Sequence, residues 1–248
     1  MRLNLSKSGL KENEFYARDY EKRIKEIHEQ LHSNDHSAGT TWVDWPLTYD
    51  KKEFLKVLRL ARDIEKSSEA LLVIGIGGSY LGAKAGIELL AKRSKVEVIF
   101  AGLNFDYIDL AEKLDYLKDK DVTVNVVSKS GTTVEILTTL SIVEKWMKNK
   151  YKNDFKKRMI FTTDKEKGYL RNRAEQDGIE LLTVPDNMGG RYSVLSSVGM
   201  LPFAVAGINI KKVMEGALDA MHELSGNEIE SNAAYRYAIY RQLINKKF

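Results

Sequence analysis

The chain contains no cysteine. Disulfides, thiolate nucleophiles and cysteine-ligated metals are thereby excluded, and a reducing compartment suits it. Charge of one sign is also scarce: 39 Lys and Arg against 35 Asp and Glu leave a net +4. That excess is too small and too dispersed to argue for nucleic acid or an anionic membrane as partner. No apolar stretch is long enough to cross a bilayer; the longest, from Val198 to Ile210, is interrupted by Pro202. The opening residues, MRLNLSKSGLKENEF, lack the apolar centre of a secretory signal. A cytoplasmic protein is expected. Histidine is limited to His28, His32, His36 and His222. The i, i+4 pair His28 and His32 has a spacing that can bind metal, but no acidic residue is placed to complete a site. Solvated surface histidines are expected there, and no metal.

What is present is ordinary for a globular protein: 248 residues, 43% apolar and 30% charged. A chain of this length buries roughly 70% of its unfolded surface and needs no covalent staples. Three textures succeed one another. Residues 1–66 are charged and helix-patterned. Phe15, Tyr16, Tyr20, Ile24, Ile27 and Leu31 recur at helical steps up to a break at Ser33-Asn34-Asp35. A second amphipathic helix runs from about Tyr49 to Ser67. Residues 67–210 alternate strand and helix. The candidate strands are Ala70–Gly75, Val96–Ala101, Val122–Ser128, Arg158–Thr163 and Glu180–Val184, with helices near 80–92, 106–118, 133–149 and 166–177. Several of these strands are continuous apolar runs, the mark of strands covered on both faces. The fold expected is α/β: a three-layer αβα sandwich with a five-stranded parallel sheet, preceded by the helical segment. Residues 211–248 read as helices over Lys211–Leu224 and Asn227–Lys246.

Three motifs fall where parallel sheets bind ligands, at strand C-terminal ends. The first is Gly75-Ile76-Gly77-Gly78-Ser79-Tyr80-Leu81-Gly82. Its glycines let backbone N–H groups approach an anion at a helix N-terminus; a plain tight turn is the alternative. It is no dinucleotide fingerprint, because position 80 is Tyr80, and no P-loop, because Ala83 follows Gly82. The expected second strand also ends in Phe100-Ala101-Gly102, with no acidic residue for a ribose, so a nicotinamide-dependent oxidoreductase is disfavoured. The second motif, Ser128-Lys129-Ser130-Gly131-Thr132-Thr133-Val134-Glu135, places four hydroxyls and one ammonium at a helix start. A phosphate monoester wants that set, whereas a helix cap uses only one hydroxyl. Glu135 suits the positive end of the helix dipole, or orients a catalytic partner. The third motif runs from Asp186 to Gly199 and carries Arg191 after two glycines. A permanent guanidinium suits an oxyanion, or a structural salt bridge.

GIGGSYLGAKA, SKSGTTVE and DNMGGRYSVLSSVG, in this order and spacing, closely resemble phosphoglucose isomerases of the bacterial type, as does WVDWP at Trp42–Pro46. The resemblance extends from the first helix to about Arg241. It implies interconversion of glucose 6-phosphate and fructose 6-phosphate in the cytoplasm, without a cofactor, by a full-length homodimer. It implies that Ser79, Ser128, Ser130 and Thr133 hold the sugar phosphate, with Lys129, Gly78, Gly131 and Thr132 beside them. Arg191 would stabilise an enediolate, and Glu135 would orient a ring-opening histidine. The family's general base, ring-opening histidine and late lysine belong to a second half that would follow residue 248. The expectation is therefore a partial enzyme whose helices after Gly199 face the rest. The alternative is a non-catalytic sugar-phosphate-binding module.

Overall fold

The computed structural model describes residues 3–10, 17–33, 35, 39–92 and 94–248. Phe15, Tyr16, Asn34 and His36, which figure in the sequence expectations, lie outside the described residues. The chain divides into two compact units, one of Thr48–Lys211 and one of Met1–Leu47 with Lys212–Phe248.

The larger unit is built on five parallel strands, β1 (Ala70–Ile74), β2 (Glu97–Ala101), β3 (Val122–Val127), β4 (Met159–Thr163) and β5 (Glu180–Thr183), in spatial order β2-β1-β3-β4-β5. Every residue of β1, β3 and β4 is buried, whereas edge strands β2 and β5 are partly open. The continuous apolar runs in the three inner strands are thus explained by cover on both faces. On one face Ile74, Val124, Val126 and Phe161 pack with Leu110 and Leu114 of α5 (Tyr107–Tyr116), Ile136, Leu140 and Val143 of α6 (Val134–Tyr151), and Leu170 of α7 (Tyr169–Asp177). On the other lie α3 (Lys51–Ser67), α4 (Leu81–Leu90) and α8 (Ser197–Val205). The expected three-layer α/β sandwich is the observed one.

Two expectations change. Helix α3, assigned to the segment 1–66, folds with the sheet instead. Its buried Val57, Leu60, Ala61 and Ile64 form one stripe. Its Glu53 accepts hydrogen bonds from the Thr183 amide of β5 (2.5 Å) and the Ser197 hydroxyl of α8 (3.1 Å), and Lys56 pairs with Glu180 at 2.8 Å. Helix α8, expected to face outward, is buried almost throughout, because its residues are apolar on all sides and fit only between layers.

In the smaller unit, α1 (Glu21–Leu31) and α10 (Ala233–Lys247) share a cluster of Ile24, Ile229, Tyr235 and Ile239. The remaining α-helices among the described residues are α2 (Trp45–Thr48) and α9 (Ile210–Glu223). Helix α10 starts six residues later than expected. Asn232 caps it, its side-chain oxygen accepting from the amides of Ala234 and Tyr235 while its side-chain nitrogen donates to the carbonyls of Leu224 and Gly226. His28 is no solvated surface residue: its Nδ1 lies 2.8 Å from the Tyr235 hydroxyl. Among the described residues no group of three metal-ligating side chains converges, and no helix is long and apolar enough to cross a membrane.

Candidate active site

Strand order reverses between β1 and β3: the chain leaves β1 for one side and β3 for the other. Such a switch point opens a crevice beyond the strand C-termini. Both hydroxyl- and glycine-rich loops start there.

The loop after β1 turns through a single 3₁₀ turn, Gly77–Ser79, with Gly77 at φ +55°. Gly78 has a reason beyond anion approach. A Cβ on it would sit 2.2 Å from the Gly190 carbonyl oxygen and 2.9 Å from the Arg191 nitrogen. Here the first and third motifs meet backbone to backbone. Gly82 likewise admits Val194, whose Cβ would lie 2.9 Å from a side chain placed there. The 3₁₀ stretch Gly190–Leu195 is held from within: the Ser193 hydroxyl donates to the Gly190 carbonyl at 2.7 Å and the Ser196 hydroxyl to the Ser193 carbonyl at 2.6 Å.

The loop after β3 converges its hydroxyls. The Ser128 amide continues the sheet ladder by donating to the Thr162 carbonyl. The buried Ser128 hydroxyl lies 3.3 Å from that of Thr133 and accepts from the Gly131 amide at 3.2 Å. The Ser130 hydroxyl is also 3.3 Å from that of Thr133. Gly131, at φ +67°, makes the turn that allows this. Thr133 occupies the N-cap position of α6, yet its side chain makes no cap hydrogen bond. It is spent on the two serines instead, and the amides of the helix's first turn receive no bond from it. A dipole end beside three clustered hydroxyls presents donors of the kind that suit an anion. Lys129 is half-buried and its ammonium donates to the Met188 carbonyl at 3.2 Å, tying the second motif to the third.

These loops enclose a cleft of about 520 Å³, walled by Gly78, Ser79, Ser128, Lys129, Ser130, Thr133 and Gly190, with Ile76, Val127 and Ile136 as its apolar floor. Six of the sequence-selected residues are therefore brought together. Gly131 is buried behind the wall, and Thr132 is exposed at its outer edge. Glu135 is half-buried, and neither it nor Arg191 lines the cleft. Arg191 follows the lining residue Gly190, is exposed, and forms no ion pair among the described residues.

One lining residue was missed. Asp164, directly after β4, completes the wall. Its Oδ1 accepts from the amides of Glu166 (2.9 Å) and Lys167 (3.1 Å). That turn delays α7, expected from about residue 166, to Tyr169. The Glu166 amide, chiefly, holds the carboxyl below its ordinary range against the opposing effect of burial; the Lys167 amide and the charges of Lys167 and Lys129 add to it. An acid on a strand C-terminal end was the available signal.

Residues 53–246 match the family model for phosphoglucose isomerase. A glucose-6-phosphate isomerase of Staphylococcus saprophyticus is 46% identical over 233 residues, and one of Staphylococcus aureus strain Newman 44%. Each alignment covers 90% of this chain and 52% of the relative, so the chain spans about half the length of these curated relatives. Among solved structures, a hypothetical protein of Thermus thermophilus superposes with a TM-score of 0.82 at 30% identity, over 91% of this chain and 54% of that one. A glucose-6-phosphate isomerase of Chlamydia trachomatis shares the fold, with a TM-score of 0.72 at 23% identity over 91% and 47%. The chain belongs to the phosphoglucose isomerase family.

Proposed function

We propose that the chain supplies the phosphate-holding part of a glucose-6-phosphate isomerase, which interconverts glucose 6-phosphate and fructose 6-phosphate through an enediolate. The observation that carries this is the convergence of the Ser128, Ser130 and Thr133 hydroxyls, within 3.3 Å steps, on the uncapped start of an 18-residue helix. Those hydroxyls, Ser79, the backbone of Gly78, Gly131 and Thr132, and the Lys129 ammonium take the phosphoryl oxygens. The sugar carbons then extend toward the cleft mouth. Arg191, exposed beside Gly190, is available there to stabilise the oxyanion that develops as C2 loses its proton. Glu135, in the first turn of the same helix, orients a proton-transfer group from outside the cleft.

The proton itself needs a base near C1 and C2. Asp164 does not suit that work: its Oδ1 is tied to two amides, and its carboxyl is held below its ordinary range, which makes it a weaker base. The base therefore comes from outside this cleft. At the same end of the sheet, the starts of α4, α5, α6 and α7 leave Leu81, Ile108, Val134 and Tyr169 exposed, apolar surface of the kind that further protein covers. The second reading, a sugar-phosphate-binding module without catalysis, is favoured by one observation: Arg191 and Glu135 stand outside the cleft wall.

Calorimetric titration of the purified chain with fructose 6-phosphate, beside a coupled assay for glucose 6-phosphate, tests this. Weak, salt-sensitive binding with no turnover is expected. Turnover by residues 1–248 alone would contradict the placement of the base, and no binding at all would overturn the phosphate cradle.

A further inference from the structure

A lysine ammonium carries three donors, and that of Lys129 has committed one of them across motifs, to the Met188 carbonyl at 3.2 Å. Lys129 also lines the cleft with Ser128, Ser130 and Thr133, whereas Met188 stands behind the wall, buried. One side chain therefore begins in the hydroxyl-rich loop, borders the cleft, and ends on the backbone of the third motif. It ends there at a sensitive point. Asn187, directly before Met188, has φ +51°, in the left-handed region that a residue with a Cβ holds only where its surroundings enforce it. Gly189 and Gly190 come next, and a Cβ added to Gly190 would meet nothing within 4 Å. Arg191 follows them. The segment that carries Arg191 is thus held from one side by the backbone at Gly78, which meets the Gly190 carbonyl, and from the other by the Lys129 ammonium.

Resting on the reading that the cradle takes a phosphoryl group, we infer that Lys129 is a positioning residue for Arg191: its ammonium bridges the phosphoryl oxygens and the Met188 carbonyl, so that filling the cradle steadies the turn from which Arg191 projects. The physical reason is the long stem. A lysine loses considerable rotamer freedom when its head is fixed. A phosphoryl dianion fixes the head by charge-assisted hydrogen bonds, and the same ammonium then donates to the Met188 carbonyl with that freedom already lost. The carbonyl is held more firmly, three residues before the guanidinium. Arg191 is set in place when a phosphorylated ligand is present, and its turn is looser when the cradle is empty.

Amide hydrogen exchange with inorganic phosphate as the probe tests this, because inorganic phosphate fills the cradle and has no sugar body to touch Arg191. Two amides report. That of Gly131, which donates to the Ser128 hydroxyl, reads the cradle, and that of Tyr192, which donates to the Gly189 carbonyl, reads the turn. In the unchanged chain saturating phosphate is expected to slow exchange at both, at Tyr192 by about fivefold. Lys129→Met keeps an unbranched apolar stem and removes the ammonium. At saturating phosphate it is expected to keep the protection at Gly131 and to lose the phosphate-dependent protection at Tyr192, and Lys129→Arg, a cation with several donors, to recover part of it. If Lys129→Met melts early or binds too weakly to saturate, Lys129→Gln, neutral and still polar, gives the same readout. A phosphate effect at Tyr192 that survives loss of the ammonium overturns the inference. So does a purely structural tether, which would change exchange at Tyr192 equally with and without phosphate. In the unchanged chain, protection at Gly131 alone refutes this inference and leaves the cradle standing; protection at neither amide means that the cradle reading itself has failed.

Discussion

Thr133→Val replaces one hydroxyl with a methyl at nearly constant volume and keeps the β-branch. In the structure that hydroxyl lies 3.3 Å from both Ser128 and Ser130 and gives nothing to the α6 cap. Its loss therefore removes one donor to a phosphate dianion and leaves the helix start as it was. A hydrogen bond to a charged group contributes about 1.5–3 kcal/mol, which is an affinity loss of roughly 10- to 150-fold. Stability should change little, because the neutral contacts to the two serines are long and partly exposed. The competing account, in which Thr133 is an ordinary N-cap, gives the opposite pattern. Removing a cap costs about 1 kcal/mol, or roughly 2–4 °C in melting temperature for a domain of this size, with ligand affinity untouched. Titration calorimetry with fructose 6-phosphate and a thermal melt on the same sample separate them. Unchanged affinity with a lowered melting point would refute the cradle.

Gly78→Ala sets a methyl 2.2 Å from the Gly190 carbonyl oxygen and forces the first and third motifs apart. A loss of about 3 kcal/mol is expected from urea unfolding, and stability equal to the unchanged chain would show that the loops do not meet there. For Glu144, burial opposes ionisation, yet hydrogen bonds from Arg173 (2.7 Å) and Lys148 (2.9 Å) outweigh it and hold the carboxyl below its ordinary 4.5. The unfolded chain then binds this proton more readily. The contribution is whole above about pH 4.5 and is lost as pH falls through the lowered folded value. Glu144→Gln should lower stability at pH 7 by about 2 kcal/mol and flatten the acid limb of the urea-unfolding profile. An unchanged acid limb would remove Glu144 from the account.

How much of this was legible in the sequence depended on the reach of the interaction. The inner strands declared themselves through unbroken runs such as Ala70–Ile74 and Val122–Val127, because burial on both faces leaves no polar period. The hydroxyl cluster after β3 was legible because its members sit within six consecutive residues. What depended on distant partners was not. Helix α3 has an ordinary amphipathic pattern, and only the partners of Glu53, at Thr183 and Ser197, reveal that it belongs with the sheet. The roles of Gly78 and Gly82 lie in residues 190 and 194, more than a hundred positions away. His28 looked solvated because its partner, Tyr235, is 207 residues distant. Asp164 escaped notice for a local reason: a lone acid after a strand resembles any turn residue, and only the shared cleft shows what it borders.

The central claim is that the turn after β3 receives a phosphoryl group. A crystal structure of the chain with fructose 6-phosphate tests it most directly. The phosphorus is predicted to lie at the start of α6, its oxygens within hydrogen-bonding distance of the Ser128, Ser130 and Thr133 hydroxyls. Saturating ligand bound elsewhere, with those hydroxyls still turned only on one another, would contradict it.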